Sequence, residues 1–161
     1  MDDIIETLKK LVNEFDLANF IPEVNSILGW IETLVRIFVM AAPICILAFG
    51  LFFLFLPPKE ANHRAGYRTY FGMGSVEAWR FTQRLAGIVW AALGIALTVA
   101  MVVITGGYGS KEVIQVVDSA ITCLIWEIVL AAISIIAINV IVMLTFDSKG
   151  YPRKRKNKDA A

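Results

Sequence analysis

Three long apolar stretches limit what this chain can fold into more than any other feature of the sequence. They cover about residues 37–56, 85–104 and 119–146. A helix of about 20 apolar residues crosses a hydrocarbon core about 30 Å thick. Hydrophobic residues make up 58% of the chain, which is more than in ordinary soluble domains. The sequence therefore predicts an all-α membrane protein with three transmembrane helices.

An amphipathic helix is predicted before the first of these spans. Apolar residues recur at helical spacing along residues 2–21, and charged or polar residues occupy the remaining positions. Because proline disfavours helix at the residue before it, this helix is expected to end before Pro22. A second periodic stretch then leads into the first span. Residues 1–36 together form the predicted extracytoplasmic amphipathic helix and lead-in.

Basic residues are distributed unevenly among the segments that flank the spans. The loop at 57–84 contains five Lys or Arg residues and the tail at 147–161 contains six, whereas the connection between the second and third spans contains only Lys111. Since Lys and Arg are enriched in cytoplasmic segments, the loop and tail are predicted to be cytoplasmic and the N-terminus to face outside. The segment from Lys149 to Ala161 is predicted to be disordered in isolation, and to contact anionic lipid rather than nucleic acid.

An irregular loop over residues 59–74 is predicted between the first two spans, followed by a helix that begins next to Ser75. Gly66 permits a turn in this loop. Ser75 is a favourable N-cap, and Glu77 suits the positive end of the helix. Tyr67 and Trp79 are aromatic residues of the kind that anchor a chain at headgroup depth.

The order of residues in this segment resembles a known signature. The residues that carry the resemblance are Asn62, the run Gly66-Tyr67-Arg68-Thr69, the pattern Ser75-x-Glu77-x-Trp79, and Gly87. They are similar in order and spacing to the loop signature of the SdpI family of small bacterial membrane proteins. The resemblance implies a three-span SdpI-like domain over 37–146 in the bacterial cell membrane. It further implies immunity to a secreted peptide toxin and capture of a cytoplasmic regulator, with the signature residues and Arg84 taking part in binding.

A face of small residues in the second span predicts close helix packing. Gly87, Ala91, Gly94 and Thr98 recur at steps of four, three and four, and small residues let two helices approach closely. The pattern favours packing within the chain over a homo-oligomer interface. After this span, a glycine-rich turn and a short helix over 111–118 are predicted. Cys45 and Cys123 lie in apolar spans and are interpreted as reduced packing residues.

Glu127 is the costly residue of the third span, because an ionisable group at that depth is paired or functional. It shares a helical face with Ala131, Ser134 and Ile138 and is expected to be shielded from lipid. Arg36, at the outer edge of the first span, is a predicted partner, and a proton or toxin site is the alternative. Asn139 lies about 120° round the helix from Glu127 and is expected to bond a different neighbour.

The sequence contains no pattern that requires an enzyme, a metal or a cofactor. His63 is the single histidine, and a metal site or catalytic triad needs further partners. Two functions remain open. The first is a binding protein for immunity or membrane signalling. The second is a small oligomeric transporter, channel or lipid-handling protein that uses Glu127 and the basic loop.

Overall fold

The computed structural model describes residues 17–59, 61 and 65–153, and for residues 17–25 it describes the backbone alone. Within these ranges the chain forms three long helices, α1 (Leu17–Phe55), α2 (Val76–Gly106) and α3 (Val113–Thr145). Three segments are long and apolar enough to cross a membrane: Ser26–Phe55 within α1, Val76–Ser110, which covers α2 and the short turn after it, and Val113–Thr145, which is α3. The predicted class, an all-α membrane protein with three transmembrane helices, is confirmed.

Helix α1 continues through Pro22, so the predicted end of a separate helix before that residue is wrong. A proline removes one backbone hydrogen bond and crowds the carbonyl four residues earlier, but the residues after it keep their helical bonds. The periodic apolar pattern from Val24 onward sustains the helix into the first span. Most of the predicted amphipathic stretch, residues 2–16, lies outside the described residues.

Helices α1 and α2 form an antiparallel pair in close contact at small residues. A Cβ atom on Gly50 would lie 2.3 Å from the backbone nitrogen of Ala91, and one on Gly94 would lie 2.5 Å from that of Leu47. No side chain fits at these points, so the two backbones touch. The predicted packing face of α2 is confirmed as a contact within the chain.

Helix α3 begins at Val113, after a 3-10 turn over Tyr108–Ser110. The predicted separate helix over 111–118 is therefore wrong, because residues 113–118 are the first turns of α3. Its buried residues lie on one side and close the bundle against α1 and α2: Val116, Ala120, Cys123, Glu127, Ser134, Ile138 and Val142. Both cysteines are free, but only Cys123 is buried and Cys45 is exposed.

The chain folds back on itself after α3. Phe146 and Pro152 form an isolated antiparallel bridge, and the Arg153 side chain donates from Nε to the Phe146 carbonyl at 3.0 Å. Gly150 adopts a positive φ of 74° at the turn. These contacts hold residues 149–153 against the end of α3, and the disorder predicted for the tail in isolation stays a prediction. The remainder of the basic tail, 154–161, lies outside the described residues.

Candidate functional site

The loop between α1 and α2 is organised by a turn at Gly66 that lies on Trp79. Gly66 has a φ of 107°, and a Cβ atom there would lie 2.6 Å from the Trp79 ring. The Trp79 side chain is fully buried, and its Nε1 donates to the Pro58 carbonyl at 2.8 Å. The predicted turn at Gly66 is confirmed. The prediction that Trp79 anchors at the membrane surface is wrong, because the loop covers its ring.

The backbone of Tyr67 is held by a single buried side chain, that of Gln83. The Tyr67 N–H donates to Gln83 Oε1 at 2.8 Å, and Gln83 Nε2 donates to the Tyr67 carbonyl at 2.7 Å. An amide side chain offers one acceptor and a donor in a planar group, so it matches both polar groups of one residue. Sequence reasoning missed Gln83. Its signal was a position four residues after Trp79 and four before Gly87, on one helical face.

The Tyr67 ring reaches into the bundle and contacts all three helices. Its centroid is 5.3 Å from that of Trp90 and 6.3 Å from that of Phe53, both in edge-to-face geometry. The hydroxyl accepts from Asn139 Nδ2 at 3.2 Å and lies 3.4 Å from the Ile135 carbonyl, to which it donates. Burial raises the pKa of Tyr67, and the bond from Asn139 partly opposes this rise. The hydroxyl is therefore protonated at neutral pH and able to donate.

These contacts change the interpretation of Tyr67 and settle that of Asn139. Tyr67 was predicted to anchor at headgroup depth, but its side chain is 9% exposed and is surrounded by protein. That prediction is wrong. Asn139 was expected to bond a neighbour other than Glu127, and its bond to Tyr67 confirms this.

A second turn places Thr69 and Gly72 against α2. The Gly72 N–H donates to Thr69 Oγ1 at 2.8 Å. A Cβ atom on Gly72 would lie 2.4 Å from Thr82 Oγ1 and 2.5 Å from Thr69 Oγ1. Thr82 is itself fully buried and donates to the Ala78 carbonyl. The loop backbone is thus seated directly on the helix, and only glycine fits at the contact.

Ser75 joins the loop, α2 and the C-terminal turn. Its Oγ accepts from the Ala78 N–H at 3.1 Å, which confirms the predicted N-cap, and Glu77 lies in the first turn of the helix. The same hydroxyl donates to the Gly150 carbonyl at 2.6 Å. A Cβ atom on Gly74 would lie 2.6 Å from the Gly150 nitrogen. The segment after α3 is therefore part of the same structure as the loop.

Of the remaining residues that were predicted to take part in binding, one is buried and two are exposed. Gly87 is buried against α1, where a Cβ atom would lie 2.8 Å from Leu54 Cγ. Arg68 and Arg84 are exposed. Because a guanidinium can serve several acceptors, the sequence predicts that Arg68 bonds loop carbonyls or Glu77. Asn62 lies outside the described residues.

Glu127 is 2% exposed and faces the interior of the bundle. Both of its carboxylate oxygens are buried with no hydrogen-bond partner among the described residues. The predicted pair with Arg36 is wrong, because Arg36 Nε donates to Glu32 Oε1 at 3.1 Å, one turn earlier in the same helix. The predicted shielding of Glu127 from lipid is confirmed. Ser134 on the same face accepts from Trp90 Nε1 at 3.1 Å, so this face packs as expected.

Tyr108 lies in the connection between α2 and α3 and is fully buried. Its hydroxyl also lacks a hydrogen-bond partner among the described residues. The Arg36 guanidinium lies 5.7 Å from the centre of its ring, and Lys111 Nζ lies 5.8 Å from it. These are cation–π distances. Arg36, which was expected to pair with Glu127, thus lies over the Tyr108 ring.

In the part of the chain that the structure describes, no group of three His, Cys, Asp or Glu residues is placed to hold a metal.

The sequence matches the model of a known protein family. The model of the SdpI/YfhL protein family matches residues 59–145, which is more than half of the 161 residues. The matched region contains the loop, α2 and α3. No curated protein and no solved structure matched the chain.

Proposed function

The chain belongs to the SdpI/YfhL protein family, and we propose that it confers immunity to a secreted peptide toxin by binding a partner at the membrane. Its three apolar helices and its family make it a multi-pass membrane protein. The observation that carries the proposal is the loop, whose signature residues Gly66, Tyr67, Thr69, Ser75 and Trp79 are built into the bundle. A simple connector between two spans needs no such contacts.

The loop also presents side chains outward, and these are the proposed contact residues. Buried and exposed residues alternate along the run: Tyr67 and Thr69 are buried, whereas Arg68 and Tyr70 are exposed, Tyr70 by 77%. The buried pair holds the backbone in place, so the exposed pair is presented at a fixed position. We propose Arg68 and Tyr70 as the surface that meets a cytoplasmic regulator. The arginine is suited to this role because its planar fork can serve several acceptors.

Survival under toxin tests the immunity proposal. A host that lacks this gene should be sensitised, and the wild-type gene should restore protection. Arg68→Lys keeps the charge but loses the fork, and we expect it to lower the tolerated toxin concentration by roughly tenfold, as for the loss of about 1.4 kcal/mol. Arg64→Lys is the matched control and should protect fully at equal membrane protein level. Unchanged sensitivity of the deletion strain would contradict immunity. Full protection by Arg68→Lys would contradict a role for the Arg68 guanidinium in immunity.

The proposed orientation follows from the distribution of charge. With the basic loop and tail in the cytoplasm, the N-terminus and the acidic segment that follows it face outside. A cysteine placed at Lys10 should react with a membrane-impermeant reagent in intact cells, and a cysteine at Asp159 should react only after lysis. Cys45 and Cys123 are first replaced by serine. Labelling at Asp159 in intact cells would reverse the orientation.

A second function is favoured by Glu127, a buried carboxylate without a partner among the described residues. Such a group within a span marks proton or ion pathways as well as structural sites. On this alternative the chain would be a small oligomeric transporter, channel or lipid-handling protein. The two proposals separate experimentally, because toxin protection and ion or lipid movement are measured independently.

Glu127→Gln is expected to preserve the fold and abolish any proton-linked activity. Glutamine has nearly the same shape as glutamate but cannot ionise. The variant also avoids the cost of a charge at mid-membrane, which is about 2.5–3.5 kcal/mol on insertion scales. Unfolding in mixed micelles and proton flux in liposomes measure the two effects. Since Arg36 bonds Glu32 instead, Arg36→Ala and Glu127→Gln should add within about 0.5 kcal/mol. A larger coupling energy between the two substitutions would support a contact between Arg36 and Glu127. Proton flux that is unchanged in Glu127→Gln would show that Glu127 does not take part in proton movement.

A further inference from the structure

A cleft with a basic rim opens where α1 ends beside the first turns of α2. Its volume is about 320 Å³, and ligand sites usually measure about 300–1,000 Å³. Phe53, Leu54 and Pro58 form an apolar wall, and Lys59, Arg80 and Arg84 supply three positive charges. The Trp79 indole holds one side of this wall in place through its bond to the Pro58 carbonyl.

The three cations of the cleft have no anionic partner in the part of the chain that the structure describes. An ion pair joins Arg36 to Glu32, far along α1 from the cleft. Arg80 and Arg84 are four residues apart on one helix, and like charges at this spacing repel each other. Two arginines and a lysine can donate many hydrogen bonds, so the cleft is ready to accept an oxygen-rich anion.

The end of α1 does not account for these charges. The carboxyl end of a helix attracts cations, but its dipole is equivalent to only about half an elementary charge. Three full positive charges line the cleft. A net positive charge therefore remains in the cleft, and an added anion would lower the repulsion between the two arginines.

The order of polar and apolar residues in the cleft matches a phospholipid. Arg84 directly precedes Leu85, where the apolar part of α2 begins, and Arg80 lies one turn closer to the loop. Phe53 and Leu54 belong to the last turns of α1. We propose that the cleft binds the phosphate of an anionic phospholipid through Arg80, Arg84 and Lys59, with an acyl chain against Phe53 and Leu54. A free phosphate ion would use the cations alone and leave the apolar wall without a function.

Native mass spectrometry of the full-length protein in detergent tests this site. The protein is titrated with phosphatidylglycerol and, separately, with phosphatidylcholine of the same acyl chains. Phosphatidylglycerol should bind at least tenfold more tightly. Each of Arg80→Gln, Arg84→Gln and Lys59→Gln should weaken its binding about fivefold, the expected effect of one basic residue near a membrane surface. All three positions are exposed, so these variants should fold.

Lys149→Gln is the matched control, because this exposed lysine lies at the same end of the bundle and outside the cleft. It should bind phosphatidylglycerol as the wild type does. Equal binding of the two lipids would overturn the proposal, as would cleft variants that behave like the control. Inorganic phosphate is added in a separate arm. If it displaces phosphatidylglycerol at equal concentration, the site binds phosphate as a free ion and the lipid assignment is wrong.

Discussion

Replacing Trp79 with alanine should lower the free energy of unfolding by about 3–5 kcal/mol, the usual cost of removing a large buried aromatic side chain. The indole is fully buried beneath the Gly66 turn, and its bond to Pro58 fixes the start of the loop. The substitution therefore leaves a cavity and also releases the Pro58 carbonyl. Unfolding of the protein in mixed detergent micelles, followed by far-ultraviolet circular dichroism, measures the loss.

Phe81→Ala is the matched control for this variant. Phe81 is two residues away on α2 but is 36% exposed, and its ring centroid lies 5.3 Å from that of Phe146. Loss of an aromatic pair costs about 0.5–1.5 kcal/mol beyond the area buried. We expect Trp79→Ala to impair toxin protection more than Phe81→Ala does. Equal stability of the two variants would show that the loop does not depend on Trp79.

Replacing Gln83 with leucine should lower the free energy of unfolding by about 2–6 kcal/mol. The amide holds the N–H and the carbonyl of Tyr67, and each buried backbone group left without a partner costs about 1–3 kcal/mol. Leucine fills the space but bonds neither group. The amide hydrogen of Tyr67 should also exchange faster with solvent, and this readout reports on the contact itself.

Gln115→Leu is the control for the Gln83 variant, because the same change is made at an exposed position of α3. Its effect on the free energy of unfolding should stay within about 0.5 kcal/mol, as for most surface substitutions. If Gln83→Leu is equally mild and the Tyr67 amide stays protected, another group must satisfy the loop backbone. The role assigned to Gln83 would then be wrong.

The features that depend on local chemistry could be predicted from the amino-acid sequence. Three apolar stretches of this length indicate three helices, since in a helix each span satisfies its backbone hydrogen bonds within itself. Ser75 at a helix start and Gly66 at a turn with positive φ follow from each residue's own conformational preferences. The small-residue face of α2 could also be predicted, because the spacing of the small residues along the sequence defines the face.

The identity of the covered side chains and of their partners could be seen only in the folded chain. Tyr67 and Trp79 have the composition of interfacial anchors, yet the loop folds over Trp79 and inserts Tyr67 between Phe53 and Trp90. Arg36 can meet Glu127 only if its rotamer and the helix packing bring them together. Glu32 lies one turn away on the same helix and accepts the hydrogen bond from Arg36. Burial and pairing depend on contacts between distant parts of the chain, so residue type and spacing cannot determine them.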